Sequence, residues 1–107
     1  MSESSARHPA TVLDATVHQR VRLGILAVLG EARRADFAYL RDTLELTDGN
    51  LSRQLQALEE AGLVRIEKVF EQRRPRTWAA LTKEGRAALR AEREALRDLV
   101  SRLEGVR

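Results

Sequence analysis

Residues 46–81 read LTDGNLSRQLQALEEAGLVRIEKVFEQRRPRTWAAL, and two periodicities meet inside this stretch. Leu51, Leu55 and Leu58 recur at the spacing that lines up side chains on one side of a helix. Thr47 offers an N-cap hydroxyl, and Asp48 places a negative charge beside the positive helix end. Gly62 suits the stop at the other end. The spacing therefore predicts a helix over 48–61. After Gly62 the period drops to two: Val64, Ile66 and Phe70 alternate with polar residues, Lys68 being the exception in that phase. A strand is expected over 63–70, a turn over 71–76 and a returning strand over 77–81. Pro75 cannot donate to a central ladder and is placed in the turn for that reason.

Upstream, Phe37, Leu40 and Leu44 fall at i, i+3 and i+7, which predicts a short helix over 36–44 opened by Asp36. Two short helices joined by a tight polar turn make a helix-turn-helix candidate. Farther back, Val17, Val21, Ile25, Val28 and Leu29 define one buried stripe of a helix over 15–31, capped by Asp14 or Thr16. Gly24 within it leaves room for another helix to come close. Residues 1–13 show no period and read as a mobile tail, with a short helical turn near 11–13. Downstream, Thr82 caps a last helix reaching about Leu103. The order helix, helix, helix, strand, turn, strand, helix is that of a winged helix-turn-helix. The expected class is mainly α (α+β): three helices, a two-stranded β-hairpin wing and a C-terminal dimerisation helix. The expected boundaries are a tail over 1–13, a winged helix-turn-helix domain over 14–82 and the last helix over 83–107.

Composition narrows the function. With 107 residues the chain builds one modest core. No cysteine is present, which removes disulfides, thiolate zinc sites and cysteine nucleophiles together. The longest apolar run, Leu23 to Leu29, is far too short to span a bilayer, and the first residues lack the apolar core of a secretory signal. The expected location is the cytoplasm, with no membrane partner. His8 and His18 lack metal-ligand spacing, Glu59 and Glu60 face no second carboxylate pair, and no glycine-rich phosphate loop occurs. No enzyme activity, metal or cofactor is expected. Trp78 reads as a packing anchor under the wing and Tyr39 as a partly exposed core residue.

The formal charge is only +3, although 17 of the 19 cations are arginine, so their location has to decide. With the three leucines inward, the helix over 48–61 presents Asn50, Ser52, Arg53, Gln54 and Gln56. Arginine matches guanine O6 and N7, and Asn or Gln matches adenine N6 and N7. Gly49 leaves bare backbone where an N–H can meet a phosphate. From Gln72 to Trp78 there are three arginines, Arg73, Arg74 and Arg76, and no acid, with Pro75 stiffening the loop. Such a tip, directly after a helix-turn-helix, reaches phosphates or a minor groove beside the helix. Over 47–78 as a whole, six cations face five acids, so the expectation rests on a focused patch. The wing is taken as 70–77.

Phe37-Ala-Tyr-Leu40, Leu46-Thr-Asp-Gly-Asn-Leu-Ser-Arg-Gln-Leu55, Leu58-Glu-Glu-Ala-Gly-Leu-Val64 and Arg73-Arg-Pro-Arg-Thr-Trp-Ala-Ala-Leu-Thr-Lys-Glu-Gly-Arg86 resemble a group of small bacterial and archaeal winged-helix transcriptional regulators. That group is related to the MarR and ArsR regulators, and the likeness covers about residues 13 to 90. It implies a homodimeric, sequence-specific DNA-binding protein whose recognition helix spans about Asp48 to Ala61. Gly49, Asn50, Ser52, Arg53 and Gln54 fall on its base-reading part, and Arg73, Arg74 and Arg76 on its wing. The ArsR metal-sensing cysteines have no counterpart here, so metal sensing is not carried over. The long flanking helices of full MarR proteins are mostly missing too.

The last helix carries Leu89, Leu96 and Leu103 seven apart, with Leu99 and Val106 three residues after two of them. This is an a/d seam, weakened by Glu92 at the remaining d-type position. Leu89, Leu96, Leu99 and Leu103 are the expected dimer contacts, and a two-fold pair predicts a palindromic operator. A repressor is the expected role, since the chain leaves no room for an activation domain. A small-molecule effector could bind between the dimer helices and the DNA-binding cores, although no residue identifies one. The rival expectation is a winged-helix module that docks a partner protein through the same surface and binds no DNA. The acid-free wing argues against it.

Overall fold

A computed structural model describes residues 7–107. The first six residues of the expected tail, and the side chain of His18, lie outside the described residues. The elements are α1 (Pro9–Val12), α2 (Ala15–His18), α3 (Arg20–Glu31), β1 (Ala35–Asp36), α4 (Phe37–Thr43), α5 (Asp48–Glu60), β2 (Val64–Glu71), β3 (Arg74–Leu81) and α6 (Lys83–Leu103). Three antiparallel strands form one sheet in the order β1-β3-β2. The result is a winged helix: a helical head, a hairpin wing and a long closing helix.

Ile25, Leu26 and Leu29 of α3, Leu40 of α4 and Leu51, Leu55 and Leu58 of α5 meet Val64, Ala79 and Leu81 of the sheet in one core. Leu26, fully buried, adds to the expected α3 stripe, whose Val21 and Val28 are only half-buried. The helix expected over 15–31 is broken. Asp14 caps α2 by accepting from the Thr16 and Val17 amides. Gln19 then turns extended and caps α3 by accepting from Arg22 N at 2.9 Å. Thr16 and Val17 are β-branched, so this short segment holds no strong helical preference against the break. The break lets α1 and α2 fold back onto α6, with Pro9 buried, so residues 9–13 of the expected 1–13 tail pack against the fold.

Three differences from the sequence reading concern the sheet. Ala35 and Asp36 pair with Ala79 and Trp78, forming a strand too short to leave a periodic trace. The six-residue turn shrinks to Gln72 and Arg73, both at positive φ (51° and 64°), and β2 and β3 pair in register from Val64↔Leu81 to Glu71↔Arg74. Two positive-φ residues give the twist that a two-residue hairpin needs. Pro75 therefore sits within β3, opposite Phe70; β1 covers β3 only at Trp78 and Ala79, so no ladder bond is lost. Phe70 keeps the phase of Val64 but is 73% exposed, because the core ends at Ile66.

The root of α6 is locked to the end of α5. Gly62 ends the helix at φ +78°, and its carbonyl accepts from the Thr82 hydroxyl at 2.6 Å. That same hydroxyl accepts from Gly85 N at 2.9 Å, while Thr82 N donates to Leu63 O at 3.1 Å. A Cβ on Gly85 would overlap the Leu63 carbonyl, so glycine permits this close approach.

Candidate nucleic-acid interface

Local chemistry fixes α5. Asn50 N donates to the Thr47 hydroxyl at 3.1 Å, the expected cap. Arg41 of α4 reaches across the turn to Asp48 at 3.0 Å and is also paired with Asp42 at 2.9 Å. The two carboxylates hold Arg41 firmly protonated. The leucines at 51, 55 and 58 are buried, so the opposite side is committed to solvent.

The structure sorts the expected helix residues into two stripes. Gly49, Ser52, Arg53 and Gln56 are exposed, at i, i+3, i+4 and i+7 of one face. Gln56 donates to Glu60 at 3.3 Å. Asn50 and Gln54 are half-buried on the neighbouring stripe, with Gln54 donating to Asn50 Oδ1 at 3.2 Å. Arg22 of α3 donates to Gln54 Oε1 at 2.9 Å. Both ends of the Gln54 amide are thus engaged, whereas Arg53 makes no ion pair among the described residues.

The wing arginines separate in the same way. Arg73 and Arg74 are exposed at the tip. Arg76 lies at the wing base, 2.6 Å from Asp36 and 3.3 Å from Glu71, with its guanidinium 4.7 Å from the centre of the Trp78 ring. Trp78 Nε1 donates to Glu71 at 3.3 Å, and Arg34 stacks on the same ring at 3.7 Å. The Tyr39 amide, above all, and then Arg76 hold the Asp36 carboxyl below its ordinary range. Arg76 therefore braces the wing against the start of α4 and is not a free cation of the tip. Tyr39, expected to be partly in the core, is 57% exposed.

Two contributors were missed by the sequence reading. Lys68 lines a cleft of about 610 Å³ together with Ser52 and Gln56 of α5 and Thr77 of β3, so helix and wing border one space. Its place out of the alternating pattern was the signal. Arg22 gave no signal, because its partner Gln54 is 32 residues away.

On α6, Leu89, Leu96 and Leu99 are half-buried and Leu103 is 58% exposed. Leu89 and Leu96 share an apolar groove with Leu23 and Ala27 of α3 and with Val100. Glu92 is turned inward, 2% exposed, and accepts from Asp14 N at 3.2 Å. It serves the protomer's own packing and stands outside any seam. Among the described residues no cluster of His, Cys, Asp or Glu could hold a metal, and no helix is long and apolar enough to cross a membrane.

A family model described as a winged helix DNA-binding domain matches residues 21–100. The chain belongs to that family. This winged-helix protein is similar to a transcriptional regulator homologue of Pyrococcus horikoshii OT3, with a TM-score of 0.81 and 32% identity over 88% of this chain and 94% of that one. It is also similar to the transcriptional regulator BldR of Sulfolobus solfataricus, with a TM-score of 0.70 and 28% identity over 82% and 63% of the two chains. An uncharacterized protein of Methanocaldococcus jannaschii is 41% identical over 70 residues, 65% of this chain and 76% of that one. The winged-helix chain is thus a DNA-binding transcriptional regulator and not an enzyme.

Proposed function

We propose that the protein is a homodimeric, MarR-like repressor that works in the cytoplasm and reads a palindromic operator. The observation that carries this reading is the exposed stripe Gly49, Ser52, Arg53 and Gln56, of which Ser52 and Gln56 line the same cleft as Lys68 of β2. The first turns of α5 enter the major groove. Arg53 reads guanine, Ser52 and Gln56 read adjoining edges, and Gly49 brings a backbone N–H to a phosphate. Asn50 and Gln54, tied to Arg22, set the helix's pose and offer a second row of polar atoms. Arg73 and Arg74 hold the flanking backbone or minor groove, while Arg76 positions the wing.

Pairing through α6 is supported by the groove of Leu23, Ala27, Leu89, Leu96 and Val100, continued by the exposed Leu103. Leu99 flanks it. A two-fold pair spaces the recognition helices about one DNA turn (~34 Å) apart. Repression then follows from occupancy of the operator. Selection of duplexes from a random pool tests the whole reading, because one consensus reports specificity, symmetry and spacing. With three or four phosphates neutralised per protomer, log K against log salt should fall with a slope of roughly −5 to −7. Sedimentation of Leu96→Lys should give a monomer. A pool that yields no consensus, with equal binding of all duplexes, would refute specific readout and favour a module that docks protein.

A further inference from the structure

The face of the sheet turned away from α5 carries a second basic feature. Arg65 of β2, Arg33 and Arg34 from the α3–β1 loop and Arg86 from the first turns of α6 converge on one cleft of about 460 Å³. Among the described residues Glu67 is its sole acid, and Trp78 forms part of its wall. Arg33, Arg65 and Arg86 make no ion pair among the described residues; Arg34 meets Glu67 at only 3.9 Å, with both side chains about half exposed. Arg34 is held chiefly by stacking on Trp78 at 3.7 Å, which orients its guanidinium while leaving N–H groups open. Four like charges gathered in a concave site repel one another, and a concave wall focuses their field on whatever anion enters.

We propose that this cleft binds a small molecule bearing two or more phosphate groups, of nucleoside di- or triphosphate size. The four guanidiniums against Glu67 leave an excess that matches the charge of such a ligand. Their planar forks fit phosphate oxygens in pairs, a geometry that separate surface cations do not provide. The cleft is distinct from the tip that faces DNA: from Arg65 to Gln72 the strand runs on the order of 23 Å at about 3.3 Å per residue. Arg34 and Arg76 share the Trp78 ring, so a ligand that draws Arg34 away changes the brace at the wing base. That regulatory consequence rests on the DNA-binding reading; the binding itself does not.

Calorimetric titration of the full chain with ATP and with pyrophosphate, without DNA or magnesium, tests the site. Saturable binding of one ligand per chain is expected, with Trp78 fluorescence changing in parallel and inorganic phosphate binding far more weakly. Arg65→Ala/Arg86→Ala should weaken the binding at least about tenfold, whereas Arg73→Ala/Arg74→Ala should leave it unchanged. All four side chains are exposed, so both variants should melt like the parent. Absence of saturation at millimolar ligand, or equal weakening by the two variants, would overturn the proposal. So would a loss of duplex affinity and salt slope in Arg65→Ala/Arg86→Ala equal to that of the tip variant, since the cleft would then be a contact to the DNA backbone.

Discussion

Arg76 Nη2 lies 2.6 Å from Asp36 Oδ2, joining positions 40 residues apart and tying the wing to the helix-turn-helix. Asp36 has a second task there, because its other oxygen accepts from Tyr39 N at 2.7 Å and caps α4. These bonds favour the carboxylate and depress its pKa in the folded state. The stabilisation is present above the unfolded carboxyl value of about 3.9 and is lost as pH falls through the lower folded value. Urea unfolding across acidic pH should show a steeper fall for the parent than for Asp36→Asn, which keeps a capping oxygen but not the charge. Asp36→Ala should cost about 1 kcal/mol more at neutral pH through loss of the cap. Parallel pH profiles for parent and Asp36→Asn would refute this role.

Arg73 holds a positive φ of 64° at the hairpin turn and also carries a tip charge. Arg73→Gly should therefore act in opposite directions on stability and binding. Relief of the left-handed conformation should stabilise the fold by up to about 1 kcal/mol, offset by glycine's own chain entropy. Duplex affinity should drop, with the salt slope falling by about 1 per protomer. Thermal melts and a salt titration read the two effects separately.

Arg53 and Gln54 are neighbours in sequence but not in availability. Arg53→Ala should cost about 1–3 kcal/mol of discrimination at one base pair of the selected site. Gln54→Ala should cost less at any single base, because its amide is already bound by Arg22 and Asn50. Arg22→Ala should weaken all sequences modestly by loosening the pose of α5. Anisotropy titrations against a panel of single-base variants distinguish these patterns.

Gly85→Ala forces a Cβ into the Leu63 carbonyl. A destabilisation of about 1–3 kcal/mol is expected, of the kind seen when well-packed sites are overfilled. Since backbone must move, Gly85→Ser should be at least as damaging. A melting temperature equal to the parent's would disprove the close approach.

The sequence makes the helical core readable because burial repeats at the helical period, and because Asp36, Thr47 and Thr82 can cap only by preceding their helices. It is least informative where long-range partners decide. Arg73, Arg74 and Arg76 look alike in sequence; Asp36, brought alongside by β1, together with Glu71 and the Trp78 ring, separates the third from the tip. Glu92 occupies a seam position by spacing and is buried because the chain bends at Gln19, a break that periodicity does not record. Gln72 and Arg73 are not residues that announce a two-residue turn, so the hairpin reads as longer than it is.

The junction of Gly62 and Leu63 with Thr82 and Gly85 has a mechanical consequence. It makes α6 a stiff arm, about 31 Å long for 21 residues, rooted directly at the C-terminal end of α5. In a pair joined along such arms, a tilt of only about 5° would displace each root by roughly 3 Å, taking that length as the radius. Small adjustments in how two copies lean together would thereby be magnified into changes of half-site fit.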